Sequence, residues 1–187
     1  MITLALTGNI ASGKSTLLKF FKSNDIATVD ADKIVDSLYK EPEVQEKISS
    51  LFGTFDRKEI ASVAFSSEKM KRELEEILHP LVVSEIKKTF SKLAAKNQGI
   101  VVVEIPLLFE AGLSGMFDKI IVVHSTREKQ IERLAKQGLS REDAIARIDS
   151  QLSSDEKVKK ADFVIDNNSD IEAALKQAEK IISELNG

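Results

Sequence analysis

Short β-branched runs alternate along the chain with longer stretches whose apolar residues recur at helical spacing. Ile2–Leu6, Ile26–Val29, Ile100–Val103, Ile120–Val123 and Phe163–Ile165 read as strands. They are apolar on both faces, as strands of a parallel sheet covered by helices are. Helices are expected at Ser15–Lys22, Ala31–Tyr39, Val44–Ser50, Lys58–Phe65, Glu68–Leu78, Leu81–Ala95, Arg127–Gln137, Arg141–Gln151 and Ile171–Leu185. Ser140-x-x-Asp143 and Ser153-x-x-Glu156 carry helix-capping chemistry, and Pro80 suits the first turn of a new helix. About seventy residues separate the second and third strands, far more than one crossover needs. The pattern therefore predicts an α/β core (1–32, 97–126 and 161–187), a helical insertion over about 33–96, and a second helical segment, a lid, over about 127–160. Both helical segments are expected to close over substrates.

Composition narrows the class. With 187 residues, 42% apolar and 30% charged, the chain can build a sizeable core. A net charge of −3 argues against a dedicated nucleic-acid or polybasic membrane surface. Cysteine is absent, which excludes a thiol nucleophile and a Cys-based zinc site, and the two histidines, His79 and His124, cannot alone make a His-rich metal centre. No apolar run approaches the roughly 20 residues that span a bilayer. The first residues read as a strand and a loop with no basic start, so a cytoplasmic protein is expected.

Gly8-Asn9-Ile10-Ala11-Ser12-Gly13-Lys14-Ser15 fits G-x-x-x-x-G-K-[ST], with a strand before it and a helix after it. In such a loop the glycines let the backbone wrap a phosphate, and the helix N-terminus adds partial positive charge. Lys14 is expected in a solvated loop, its charge reserved for the β- and γ-phosphates, while the Ser15 hydroxyl would ligate Mg²⁺. A GTPase needs a guanine-reading Asn-Lys-x-Asp, which does not occur. Leu113-Ser114-Gly115-Met116 lacks the Gly-Gln of transport ATPases and reads as a turn. Small-molecule kinases remain, with slow nucleotide-dependent switches as a competing class.

Asp30-Ala31-Asp32 follows the second strand, where an open parallel sheet lines its ligand crevice. Two carboxylates two residues apart point in different directions. Asp30 is expected to cap the next helix, and Asp32 to accept a hydroxyl proton from the acceptor. At the end of the third strand, Glu104 could hold Mg²⁺ through water, or be a strand-end carboxylate braced by Thr7 or a backbone amide. Leu107 and Leu108, with Phe109, form an apolar stretch that could be core or a wall for the acceptor.

With these segments in place, the chain resembles the dephospho-coenzyme A kinase family nearly throughout. The resemblance runs through LTGNIASGKST, DADKI, FDRKEIASVAF, EILHPLV, EIPLLFEAGL, FDKIIVV, ARIDSQ and ADFVIDN. It implies a three-layer P-loop NTPase fold with a five-stranded parallel sheet. It also implies transfer of the ATP γ-phosphate to the ribose 3′-hydroxyl of dephospho-coenzyme A. A nucleotide or nucleoside kinase is the alternative.

The loop roles then fall on Gly8, Ala11, Ser12, Gly13, Lys14, Ser15 and Thr16, with Lys14 and Asp32 as catalytic residues and Ser15 and Glu104 at the metal. Thr7, His79, Glu104, Leu107 and Leu108 join Asp32 at the acceptor, and Arg133 and Arg147 are the lid's phosphate-binding candidates. ATP, Mg²⁺ and dephospho-coenzyme A are the implied ligands, and the expected state is a monomer or weak homo-oligomer. Asn9 and Ala11 stand where the family often has glycine, and Asp36 where a basic residue is usual. Gln137-Gly138 is shorter than the family's Arg-Asp-Gly turn.

Overall fold

A computed structural model describes residues 1–186. Five strands, β1 (Ile2–Thr7), β2 (Ala27–Asp30), β3 (Ile100–Glu104), β4 (Lys119–His124) and β5 (Phe163–Asp166), form one sheet in the order β2-β3-β1-β4-β5. β1 pairs with β3 and β4, and β4 with β5, all parallel. The central strands are buried on both faces, which is why they read as unbroken apolar runs: every residue of β3 is buried, as are Leu4–Thr7 and Ile120–Val123. Nine α-helices occur among the described residues: α1 (Lys14–Ser23), α2 (Ala31–Leu38), α3 (Pro42–Phe52), α4 (Arg57–Ser66), α5 (Glu68–Ala94), α6 (Arg127–Lys136), α7 (Arg141–Asp149), α8 (Ser154–Val158) and α9 (Ile171–Asn186).

The chain divides into two compact units, Met1–Val29 with the segment from Leu93 onward, and Asp30–Lys92. In the first, Leu17 and Phe21 of α1 and Ala174 and Ala178 of α9 pack with Leu4, Leu6, Ile121 and Val123 of the sheet. A separate cluster joins α6 to α7 through Ile131, Leu134, Ala144 and Ile148, and Ile10 and Ala11 pack against it. In the second unit, Val44, Ile48, Ile60 and Leu78 make a small core flanked by Tyr39, Phe52 and Phe55.

Two expected helices, Glu68–Leu78 and Leu81–Ala95, are one. α5 runs through Pro80, because its buried residues Leu78, Val82 and Ile86 continue one apolar face across the proline. Packing thus outweighs the hydrogen bond that proline removes from the ladder. His79 consequently sits on a helix, half-buried, and not in a turn. The Ser153-x-x-Glu156 signal caps a short helix, α8, with Ser153 accepting from the Glu156 amide, and Ser114–Met116 forms a 3₁₀ turn.

Asp118 staples β1 to the start of β4, accepting from the Thr3 amide at 2.8 Å and the Thr3 hydroxyl at 2.7 Å. These bonds, the amide foremost, hold its carboxylate below the usual range. A lowered folded-state pKa contributes stability above the unfolded value, and that contribution disappears as pH falls through the folded one. Asp118→Asn is therefore expected to flatten the loss of stability below about pH 4, measured by urea melts across acid pH. An unchanged acid slope would contradict this role for the staple.

Candidate active site

The β1–α1 turn is built on two glycines in the left-handed half of backbone space, Gly8 at φ 146° and Gly13 at φ 105°. A Cβ on Gly8 would run into the Val123 carbonyl, and one on Gly13 into the Asn167 side-chain amide. Both positions require glycine on conformational and packing grounds. Gly13 precedes α1 and no side chain caps that helix, so the positive end of the helix faces the loop, as an anion site requires. Ala11, at φ 58°, is in the left-handed region without being glycine.

Lys14 corrects the expectation of a solvated side chain. It is 7% exposed, and its Nζ donates to the carbonyls of Gly8 at 2.9 Å and Asn9 at 3.0 Å. The loop closes around its own lysine because those carbonyls face the concavity. Removing the side chain would therefore cost these bonds as well as the charge.

The Ser15 hydroxyl donates to Glu104 Oε1 at 3.1 Å, so a helix-start hydroxyl and a strand-end carboxylate converge. Glu104 is 6% exposed. Ser15 is one of its partners; the Thr7 hydroxyl donates to the Pro106 carbonyl, at 3.2 Å.

From α6, Arg133 reaches under the loop. Its guanidinium donates to Ala11 O at 3.0 Å, Ser12 O at 3.2 Å and Asn167 O at 2.7 Å, with a longer contact to Ser125 Oγ. The Asn167 amide donates to Ser12 O at 2.7 Å. Gly13, Lys14, Ser15, Thr16, Arg133 and Asn167 line a cleft of about 640 Å³ that extends to Gln137 and Ile171. A larger cleft, about 730 Å³, opens among α6, α7 and α8. It holds neither Lys14 nor the first turn of α1, so volume does not select the phosphate site.

Asn167 and Ile171 escaped the sequence reading. The available signal was position: Asn167 directly follows β5, and residues past the carboxyl ends of parallel strands face the ligand crevice.

The other candidates divide plainly. Thr7 and Leu108 are wholly buried, so neither presents a surface to a ligand; Leu107 is 40% exposed. Arg147 is exposed on α7. Asp32 and His79 belong to the Asp30–Lys92 unit. There Asp30 caps α2, accepting from the Lys33 amide at 3.2 Å, which leaves Asp32 exposed in the first turn. Asp36 pairs with Arg57 at 2.7 Å, and that guanidinium lies 4.2 Å from the Tyr39 ring centroid. Both members of the pair are more than half exposed, so it adds little stability.

The Arg133 fork bonds three backbone carbonyls, and Lys cannot reproduce that geometry. Arg133→Met is expected to lower the stability of the nucleotide-free protein by about 2 kcal/mol and to weaken ATP binding, with Arg133→Lys recovering only part of each. Thermal melts and ATP titration check this. A melting temperature indistinguishable from wild type would contradict a bracing role.

Comparison with known proteins places the chain in a family. The dephospho-CoA kinase family model matches residues 2–173. A curated dephospho-CoA kinase of Fusobacterium nucleatum subsp. nucleatum is 38% identical over 189 residues, 96% of each chain. One of Aquifex aeolicus is 38% identical over 194 residues, 99% of this chain and 98% of its own. Among solved structures, a Thermus thermophilus protein superposes with a TM-score of 0.87 at 34% identity, covering 100% of this chain and 98% of its own. The dephospho-CoA kinase from Campylobacter jejuni gives 0.73 at 32%, covering 98% and 96%. A shikimate kinase from Bacteroides thetaiotaomicron, at 14% identity and 0.53, shares the fold. With a family model spanning almost the whole chain and close relatives of matching length, the chain belongs to the dephospho-CoA kinase family.

Proposed function

We propose that this protein transfers the γ-phosphate of ATP to the ribose 3′-hydroxyl of dephospho-CoA, yielding CoA and ADP. The observation that carries the reading is the reach of the family match. It spans residues 2–173 and so takes in the whole Asp30–Lys92 unit as well as the phosphate loop. A nucleotide or nucleoside kinase would be expected to share the loop, the sheet and the lid, and not the Asp30–Lys92 unit.

The residues fit the chemistry. Ser15 Oγ and Glu104 Oε1, 3.1 Å apart, are hard oxygen donors of the kind Mg²⁺ takes alongside substrate phosphates. When bound, Mg²⁺ would offset negative charge on the β- and γ-phosphate oxygens.

Lys14 would exchange the Gly8 and Asn9 carbonyls for phosphate oxygens. Gly8, Ala11, Ser12, Gly13 and Thr16 supply the surrounding backbone and first helical turn. Arg133, already committed to loop carbonyls, forms the floor of the nucleotide cleft, and the exposed Arg147 is free to meet phosphate charge.

Asp32 would align the 3′-hydroxyl and take its proton. The new bond joins that oxygen to the γ-phosphorus as the bond from phosphorus to the β–γ bridging oxygen breaks, and ADP leaves. His79 and Leu107 complete the acceptor side in this reading, Leu107 offering apolar surface. Thr7 and Leu108 act from beneath, by packing. No described helix is long and apolar enough to cross a membrane. Both substrates are small molecules, and a monomer or weak homo-oligomer suffices.

The test is an ADP-release assay offering dephospho-CoA beside AMP, CMP, UMP and nucleosides. Dephospho-CoA should be preferred by orders of magnitude. A nucleoside or its monophosphate used equally well would overturn the assignment. In the same assay Asp32→Asn should cut turnover by about 10²–10⁴-fold while ATP binding stays near wild type. Near-normal turnover would remove Asp32 from the chemistry.

A further inference from the structure

The end of the lid is tied to the phosphate loop by bonds that the transfer chemistry does not use. The Ile10 amide donates to Gln151 Oε1 at 2.8 Å, and the Asn9 side-chain amide donates to the Leu152 carbonyl at 2.9 Å. Behind them, the Leu152 amide donates to Glu110 Oε1 at 3.0 Å. Glu110 pairs at 2.8 Å with Lys157, which is wholly buried and also reaches the Pro106 carbonyl at 3.2 Å. The Thr7 hydroxyl shares that carbonyl. An unbroken chain of polar contacts therefore runs from the crown of the loop through Gln151–Lys157 to the segment following Glu104, and back to the end of β1.

The crown needs such a brace. Ala11, the residue after Ile10, holds φ 58° with a Cβ, a conformation that persists only where the surroundings over-determine it. Two groups impose it: Arg133 from below, through the Ala11 carbonyl at 3.0 Å, and Gln151 from the side, through the Ile10 amide. The pinned Ile10 amide also decides which loop amides face a phosphate, because its own hydrogen is already committed.

We propose that Gln151 is a positioning residue for the nucleotide: by accepting from Ile10 N–H it holds Ala11 in the left-handed conformation that gives the loop its phosphate-binding shape. The inference rests on the loop being the ATP site. Its signature is selective. Losing the Gln151 bond should weaken ATP and leave the acceptor alone, and the loss should depend on which residue occupies position 11. Glycine adopts positive φ without strain and needs no brace.

The experiment compares Gln151→Met, which fills similar space without an acceptor oxygen, in the wild-type and Ala11→Gly backgrounds. ATP affinity is read by calorimetric titration without acceptor, and dephospho-CoA KM and kcat by ADP release. Gln151→Met should weaken ATP about tenfold and move the dephospho-CoA KM by less than about twofold. With Gly at position 11 the ATP penalty should shrink to about threefold or less, the non-additivity that marks coupled neighbours. Should Gln151→Met fail to fold, Gln151→Asn, one methylene too short to reach Ile10, reads the same bond.

An equal ATP penalty in both backgrounds would overturn the proposal, as would unchanged ATP affinity in a folded variant. ATP titration needs no acceptor, so an error about dephospho-CoA would appear separately, as absent turnover in wild-type protein.

Discussion

Everything in the nucleotide unit depends on holding eight residues of backbone, Gly8–Ser15, in a conformation that most sequences resist. Two positions accept no side chain, because the Val123 carbonyl and the Asn167 amide occupy that space. A third, Ala11, holds a left-handed angle with a Cβ present. Strain of order 1–3 kcal/mol at such a residue persists only where neighbours enforce it. The neighbours come from far along the chain: Val123 from β4, Asn167 from beyond β5, Arg133 from α6 and Gln151 from beyond α7. Asn9 Oδ1, Ser12 Oγ and Asn167 Oδ1 are buried around the same loop without a protein hydrogen-bond partner, a further cost that the surrounding packing has to offset.

That constraint explains why the sheet takes its order. Placing β1 between β3 and β4 sets the loop beside the exits of both strands. Ser15 can then meet Glu104 from one side, while Val123 closes against Gly8 on the other. Helices α6 and α7 contribute rigidity: they share a core against which Ile10 and Ala11 pack, so the loop is part of their packing. Surface pairs such as Lys136–Glu132, both well exposed, add little by comparison.

Local signals were legible in the sequence. The phosphate-loop pattern, the five apolar strands, the Asp30 cap and the Ser140 and Ser153 caps each depend on residues a few positions apart. Pro80 misled because its helix-start preference is a local rule, and the continuous apolar face of α5 overrides it. The burial of Lys14 was hidden for a related reason: a lysine reads as solvated unless the carbonyls that fold over it are known. The braces were least legible. Arg133 and Ala11 lie 122 residues apart, Gln151 and Ile10 141, and Asn167 and Ser12 155. Separations of that size leave no periodicity to read, although the position of Asn167 directly after the edge strand β5 was a usable hint.

The central claim is that the loop is held in its binding shape before any nucleotide arrives. Amide hydrogen exchange in the nucleotide-free protein tests it most directly at Ile10 and Ser12, whose amides donate to Gln151 and to the Asn9 carbonyl. A preformed loop predicts strong protection at both, comparable to the flanking residues of β1 and little changed by ATP. Exchange at the rate of an unstructured chain, with protection appearing only when ATP is added, would contradict it.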